Sequence, residues 1–544
     1  MVTTHSICSY KQTDPNDHYH TIIIGSGIGG LATAAVLAQE GKRVLVLEKH
    51  YTAGGYTHVF KRRDYEWDVG IHYLGEFHRA NSEAAQWLRY ITGNKLRWET
   101  MGEVYDRIFF GHDAYEFRTG KAQFIEGLAE KFPDAADRKA IARYVDTVYA
   151  AQHAGRTYFA DKVLPAFVSK TAGYFMRRPF LRYASQTTWD VLRSITNNER
   201  LIGVLCAQYG DYGLPPRQSS FAIHAMVAKH YMNGACFPIG GCSSIAESAA
   251  EVIVKSGGTV MTNAEVAQIL VQKNKAVGVI MADGRQISAD NVVSNAGIIN
   301  TFGKLLPVDA RKSANTDQLL AQVEPSAAHL GLYLGFKYTA EQLSLGKANY
   351  WIFPENGYDH DQNIGRFMAD PHNTPLPLTF ISFPSAKDPE WLQRYPDRAT
   401  IDIITLAAPK WFNAWKNERW HKRGNEYNDL KEAFSQKMMA VMYEKLPQTA
   451  GKVDYHELST PLSTAHFAGY AQGEIYGIAH TPKRFGLRFL RPQTPIKNLF
   501  LCGQDIISCG VAGGLTGGIL AAITLLKKPS LLNKIRKSGS VNRG

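Results

Sequence analysis

A single segment near the start constrains the fold most: Thr21–Ile24, a glycine-rich turn, an alanine- and leucine-rich stretch, Val44–Leu47 and then Glu48. The first apolar run suits a buried parallel strand. Gly25, Gly27 and Gly30 follow in GxGxxG spacing. In a βαβ unit the first glycine allows the tight turn, the second lets a pyrophosphate approach the backbone, and the third lets helix and strand pack closely. The spacing predicts a helix over 28–39 whose first N–H groups face phosphates. Gly41 ends it, and Glu48 closes the second strand where a carboxylate accepts hydrogen bonds from ribose hydroxyls. A glycine-rich loop alone is compatible with no ligand at all. Strand, glycines, helix, strand and terminal acid in this order point to an adenine dinucleotide.

Further segments extend that site. Ala53-Gly54-Gly55 comes directly after Glu48, and far along the chain Leu499–Cys502 is followed by Gly503, Asp505 and the run Gly510–Gly518. This second run predicts a buried strand and a helix reaching about Leu526, whose N-terminus suits negative charge on a reduced flavin. A glycine pair placed just after the ribose acid resembles the FAD-dependent amine-oxidase and carotenoid-desaturase superfamily, and FAD is the expected cofactor. The set expected to hold it is Gly25, Ser26, Gly27, Ile28, Gly29, Gly30, Glu48, Lys49, Gly54, Gly55, Gly503, Asp505, Val511 and Gly513. The resemblance adds Val266, Ser294 and Asn295 by position. No metal site is expected.

A length of 544 residues exceeds the usual single domain. The expected fold class is α/β: a discontinuous Rossmann-like FAD-binding domain from 20–98, 236–307 and 451–526, and a mixed-sheet plus helical substrate domain from 99–235 and 308–450. Residues 527–544 form a basic tail. In the third cofactor segment a helix is predicted over 243–255, a strand over 259–262 and a meander with turns at Lys273-Asn274 and Asp283-Gly284. In the substrate domain HLGLYLGFKY and TIDIITLAAP read as strands.

Six scattered cysteines form no CxxC pair, which argues against a disulfide framework or a zinc site. The polar start has no apolar h-region and no unbroken run of about twenty apolar residues occurs, so neither a secretory signal nor a spanning helix is expected. A cytoplasmic setting is expected. The net charge of +12 favours an anionic surface. No nucleic-acid recognition module accompanies it, so an anionic membrane is the expected partner. Two basic amphipathic stretches suit peripheral binding: 161–183, which mixes Leu, Phe and Tyr with Lys162, Lys170, Arg177, Arg178 and Arg182, and the tail, with Leu531, Leu532 and Ile535 alongside Lys534, Arg536 and Lys537.

The stretches WDVGIHYLGE (67–76), SNAGIINTFGKLLP (294–307), SFPSAKDP (382–389), HKRGNEY (421–427) and GQDIISCGVAGGLTGG (503–518) resemble the retinol saturase branch, beside carotenoid isomerases and phytoene desaturases. The resemblance implies FAD-dependent saturation of a C=C bond in a long apolar polyene. Redox-neutral isomerisation, desaturation and non-catalytic lipid binding are the alternatives. No second GxGxxG follows a strand, so an external electron donor is expected. Candidate acids are His72, Tyr73, Glu76 and Tyr212, with Tyr209, Asp211, His466 and Tyr470 as further wall candidates. Each has an ordinary packing or surface alternative.

Overall fold

The computed structural model describes residues 6–539. Residues 540–544 of the predicted tail lie outside them. Strand β1 (His18–Ile24), helix α1 (Ile28–Gln39) and strand β2 (Val44–Leu47) follow the predicted order, β1 starting three residues earlier. β1 lies inside an eight-stranded sheet, paired in parallel with β2 on one side and Gln286–Ser294 on the other. Thr259–Thr262 extends the sheet beyond β2, and Leu499–Leu501 pairs with Gln286–Ser294. Where both faces are covered the strands are apolar and buried, as at Ile22–Ile24, Val44–Leu47 and Val292-Val293. The meander Val266–Gln272, Lys275–Met281, Gln286–Ser294 turns at Lys273-Asn274, both at positive φ, and at Gly284.

α1, Ser243–Lys255 and Gly510–Leu526 cover one face and share a core. Two of these helices cross at backbone distance. A Cβ at Gly518 would lie 2.3 Å from the Gly29 carbonyl oxygen and 2.7 Å from Ala32 Cβ. The Thr33 hydroxyl donates to the Gly518 carbonyl across this crossing, at 3.0 Å. The N-termini of both helices are thereby brought to one place.

A second, seven-stranded sheet runs in the order Val453–Ser459, Ala328–Phe336, Ala399–Ala407, Thr379–Ser382, Asn349–Phe353, Val104–Phe110, Asp113–Arg118. Gly424–Lys445 covers one face through Phe434, Met438 and Met442. A helical layer of Ala135–Asp161, Ala166–Ala184 and Phe221–Met232 packs in a separate core that includes Trp351 and Phe380 of this sheet. The hairpin Val59–Arg62/Tyr65–Asp68 ties the second sheet to the cofactor segments, its Trp67 indole donating to the Leu334 carbonyl at 3.0 Å.

Two sequence expectations need correction. Val453–Ser459, assigned to the cofactor segments, pairs with Ala328–Phe336 at the edge of the second sheet. The tail helix Leu531–Gly539 does not offer an apolar face to a membrane. Leu531 and Ile535 are buried in the core shared with Glu83–Thr92, and Lys534 and Arg536 pair with Glu40 and Glu83. Among the described residues no helix is long and apolar enough to cross a membrane.

The glycine crossing gives a first prediction. Gly518→Val forces side-chain atoms into α1 and is expected to cost about 1–3 kcal/mol, read as a lower unfolding midpoint with reduced bound flavin. An unchanged midpoint would show that the helices separate freely.

Candidate active site

The glycine turn and Glu48 hold one another. Gly25 takes φ +93° and its N–H donates to the Leu47 carbonyl at 2.8 Å. A Cβ at Gly30 would stand 2.1 Å from the Gly25 carbonyl oxygen, so only glycine permits this approach. Glu48 Oε2 accepts from Ser26 N at 2.8 Å and Ser26 Oγ at 2.7 Å, and Oε1 from His50 N at 2.9 Å. The same Ser26 hydroxyl oxygen accepts from Gly54 N at 3.0 Å. Both glycine pairs are thus braced through one serine and one carboxylate.

A cavity of about 510 Å³ runs along this cradle. The first residues of α1 (Ile28, Gly29) and of Gly510–Leu526 (Gly510, Val511) both line it. Neither helix has a side-chain cap or an acid in its first turn. Two uncapped helix N-termini with free N–H groups on one cavity form a site for anionic or electron-rich ligand groups. Asp505 works as a fastener here: Oδ2 accepts from Ile298 N at 2.7 Å and Oδ1 from Ile478 N at 3.1 Å, joining three distant segments.

Of the predicted cofactor residues, Gly25, Gly27, Ile28, Gly29, Glu48, Lys49, Gly54, Gly55, Val266, Asn295, Gly503, Asp505 and Val511 line this cavity. Ser26, Gly30, Ser294 and Gly513 stand behind its wall. Ser26 and Ser294 are fully buried, and Ser294 hydrogen-bonds the Thr301 hydroxyl at 2.7 Å. Tyr56, His58, Lys304 and Gln504 also line the cavity and were missed, since single polar residues carry no spacing signal.

Beyond the cradle the same cavity becomes a hydrocarbon chamber walled by Trp351, Leu378, Phe380, Ile404 and Leu406. Among the candidate acids, His72 lines it; Asp211 and Tyr470 do so as well. His72 Nδ1 lies 3.2 Å from Asp402 Oδ2 at an angle that makes no hydrogen bond. Burial pushes this imidazole down to about 3, so it is neutral. The other three candidates are off the wall. Tyr73 is buried behind it. Glu76 accepts from Lys229 Nζ at 2.7 Å and from Asn233. Burial raises its carboxyl, but the Lys229 ammonium outweighs this and holds it below the usual range, ionised. The Tyr212 hydroxyl is enclosed against His224 Nδ1 at 3.1 Å. Tyr209 is buried, and His466 stacks on Trp420.

Sequence reading also missed the buried charges behind the chamber: Asp106, Asp402 and Lys387. Asp402 shows as a carboxylate inside an otherwise uncharged, buried strand (ATIDIITLA), a pattern that signals a partnered or protonated acid, whereas Asp106 stands beside Arg107 in VYDRIFF. Among the described residues no cluster of histidine, cysteine and carboxylate side chains could hold a metal.

Comparison with known proteins places this geometry. The family model described as flavin containing amine oxidoreductase matches residues 28–526. An all-trans-retinol 13,14-reductase of Danio rerio is 34% identical over 96% of this chain and 88% of its own. That of Homo sapiens is 36% identical over 93% and 85%. A chloroplastic prolycopene isomerase of an Oncidium hybrid cultivar is 26% identical over 95% and 86%. The solved structure of an oxidoreductase from Methanosarcina mazei shares the fold, with a TM-score of 0.63 and 17% identity over 93% of this chain and all of that one. The cofactor is FAD, and the bare-backbone cradle and paired helix N-termini fit it.

Glu48→Gln tests the brace. An amide can present oxygen to only one of the two donor sets that the carboxylate serves. Losing a charged hydrogen bond of about 1.5–3 kcal/mol weakens FAD binding roughly tenfold to a hundredfold, measurable by flavin titration of the apoprotein. Unchanged affinity would remove Glu48 from the site.

Proposed function

This chain belongs to the family of flavin-containing amine oxidoreductases, as a relative of the all-trans-retinol 13,14-reductases, and we propose that it saturates one carbon–carbon double bond of a long conjugated polyene of the retinoid kind. The observation that carries this reading is the continuity of cradle and chamber: one cavity lined by Glu48 at one side and by Trp351, Leu378, Phe380, Ile404 and Leu406 at the other. FAD in its reduced form supplies hydride, and addition to an alkene with no neighbouring carbonyl leaves charge that only a conjugated chain spreads. The chamber residues contribute three things. Their apolar surface binds the hydrocarbon, their packing excludes water that would compete for reactive species, and the few polar groups on the wall supply the second hydrogen.

FAD contacts are assigned to the cavity-lining members of the predicted set, with Ser26, Gly30, Ser294 and Gly513 shaping the cradle from behind. Redox-neutral isomerisation is the second reading, favoured by the prolycopene isomerase relative and served by the same chamber. Electrons come from an external donor.

The membrane surface is assigned to Ala166–Ala184. Tyr174 and Phe175 are 56% and 72% exposed, and Lys170, Arg178 and Arg182 are exposed on the same helix. Aromatic and cationic groups side by side suit an anionic bilayer interface.

Two experiments follow. Chemically reduced enzyme incubated anaerobically with all-trans-retinol is expected to give a product heavier by two hydrogens. Unchanged mass with altered double-bond geometry would replace saturation by isomerisation, and neither change with retinol or a carotenoid would sink the polyene reading. In flotation with anionic liposomes at low salt the protein is expected to rise with the vesicles, and Phe175→Ser combined with Arg178→Glu to stay behind. Equal flotation of both proteins would displace this helix as the contact.

A further inference from the structure

Behind the apolar wall runs a buried chain of ionisable groups whose carboxyl Asp211 reaches the cavity. Asp106 is fully buried on Val104–Phe110. Its Oδ1 accepts from Asn349 Nδ2 at 3.1 Å and its Oδ2 from Gln208 Nε2 at 2.8 Å. The buried Lys387 ammonium donates to Oδ1 of that same Asn349, to Ser382 Oγ at 2.7 Å and to the His72 carbonyl at 2.7 Å. The Tyr73 hydroxyl, its ring stacked on Tyr231 at 4.0 Å, lies between two carboxyls: 3.0 Å from Asp106 Oδ2 and 3.1 Å from Asp211 Oδ2. Asp211 is the carboxyl of this chain that lines the cavity.

Hydrogen counting assigns the protons. A tyrosine hydroxyl has one hydrogen to donate. With both carboxyls ionised, one of them would face the phenol oxygen lone pair to lone pair in a low-dielectric interior. One carboxyl must therefore carry a hydrogen of its own. Asp106 already takes two amide donors and feels the Lys387 charge, which favours its anion. The other link is then completed by Asp211 donating to the Tyr73 oxygen while Tyr73 donates to Asp106. Burial first, and the Asp106 charge second, raise the Asp211 carboxyl well above the carboxylate range, whereas Asp106 is raised by burial only to about 6.

Asp211 is also fixed in place. The Gly210 carbonyl accepts from the Tyr476 hydroxyl at 3.0 Å, and the Asp211 carbonyl from Cys509 Sγ at 3.5 Å. Cys509 is the N-cap of Gly510–Leu526, so this acid sits where the chamber meets that helix N-terminus. A Cβ at Gly210 would lie 2.7 Å from the Trp351 ring, which sets the turn tightly against the chamber wall.

We propose that Asp211 is kept as a neutral carboxylic acid by the Asp106–Tyr73 chain and is the proton donor to the hydrocarbon substrate; this deepens the saturation reading and rests on it. The carboxylic O–H bond breaks and its proton forms a C–H bond at one alkene carbon. The other alkene carbon takes the hydride that saturation already requires, with both electrons. Once the product has left the chamber, the Asp211 carboxylate recovers a proton from the solvent that then enters the cavity. A carboxylic acid stored neutral in an apolar site for proton donation is a recognised use of burial.

The test uses the flavin-loaded protein and two independent readouts. Infrared difference spectra between wild type and Asp211→Asn at neutral pH are expected to show the carbonyl stretch of a protonated carboxylic acid, shifted in D2O, in the wild type only. Single-turnover saturation of all-trans-retinol by chemically reduced enzyme is expected to fall about a hundredfold or more in Asp211→Asn, with flavin content unchanged. Tyr73→Phe, which removes the hydroxyl between the carboxyls, is expected to shift the same infrared band and slow saturation, and serves if Asp211→Asn fails to fold. Persistence of the band in Asp211→Asn, an unmoved band in Tyr73→Phe, or wild-type saturation by Asp211→Asn would each overturn the proposal. A wild type that shows the band yet leaves retinol and carotenoid mass unchanged would overturn the saturation reading and the donor role with it, while locating the stored proton at Asp211.

Discussion

The structure depends on one close approach of backbone to backbone, where α1 and Gly510–Leu526 cross at Gly29 and Gly518. No side chain separates them, so the first turns of both helices reach the same cavity. Their dipoles and free N–H groups then act together, although the two helices come from opposite ends of the chain. A cradle made from bare backbone has no side-chain entropy to lose when a ligand binds. Its shape is held by Ser26 behind the wall and by Glu48 and Asp505 on it, through hydrogen bonds to the protein's own backbone and to the Ser26 hydroxyl.

The second constraint is electrostatic. Asp68, Asp106, Asp211, Asp402 and Lys387 sit near the chamber, largely out of water. Burial raises Asp68 to about 8 and lowers Lys387 to about 7. Isolated charges at such depth are costly, and removing one partner of a buried set leaves the other unpaired. Protonation relieves much of that cost. Acids kept neutral by burial beside an apolar chamber, as Asp68 and Asp211 are, are suited to moving protons, and the chamber walls Trp351 and Phe380 limit the water that competes with them.

Legibility followed sequence distance. α1, β2, Ser243–Lys255 and Gly510–Leu526 were readable to their ends because each is local: apolar period, glycine stop, short turn. FAD was readable because its signals are local, a glycine turn near one end of the chain and a glycine-opened helix near the other. The candidate acids were not. For Glu76 a buried acid and a salt-bridged carboxylate stayed equally open because Lys229 is far along the chain, and the surroundings of Tyr212 stayed open because its contact with His224 depends on how Phe221–Met232 packs. The tail shows the same effect: its amphipathic pattern was real, but the apolar face belongs to the protein's own Glu83–Thr92 helix.

What the sequence by itself determined is the dinucleotide cradle, since GxGxxG, Glu48 and the distant glycine helix act through backbone geometry encoded within a few residues of each position. Tertiary structure alone decided which polar groups reach the apolar chamber. Asp106, Tyr73 and Asp211 come from three separated segments, and the ionisation of each depends on burial and on the other two. Local pattern carries backbone conformation; proton position depends on distances across the core, which no local pattern contains.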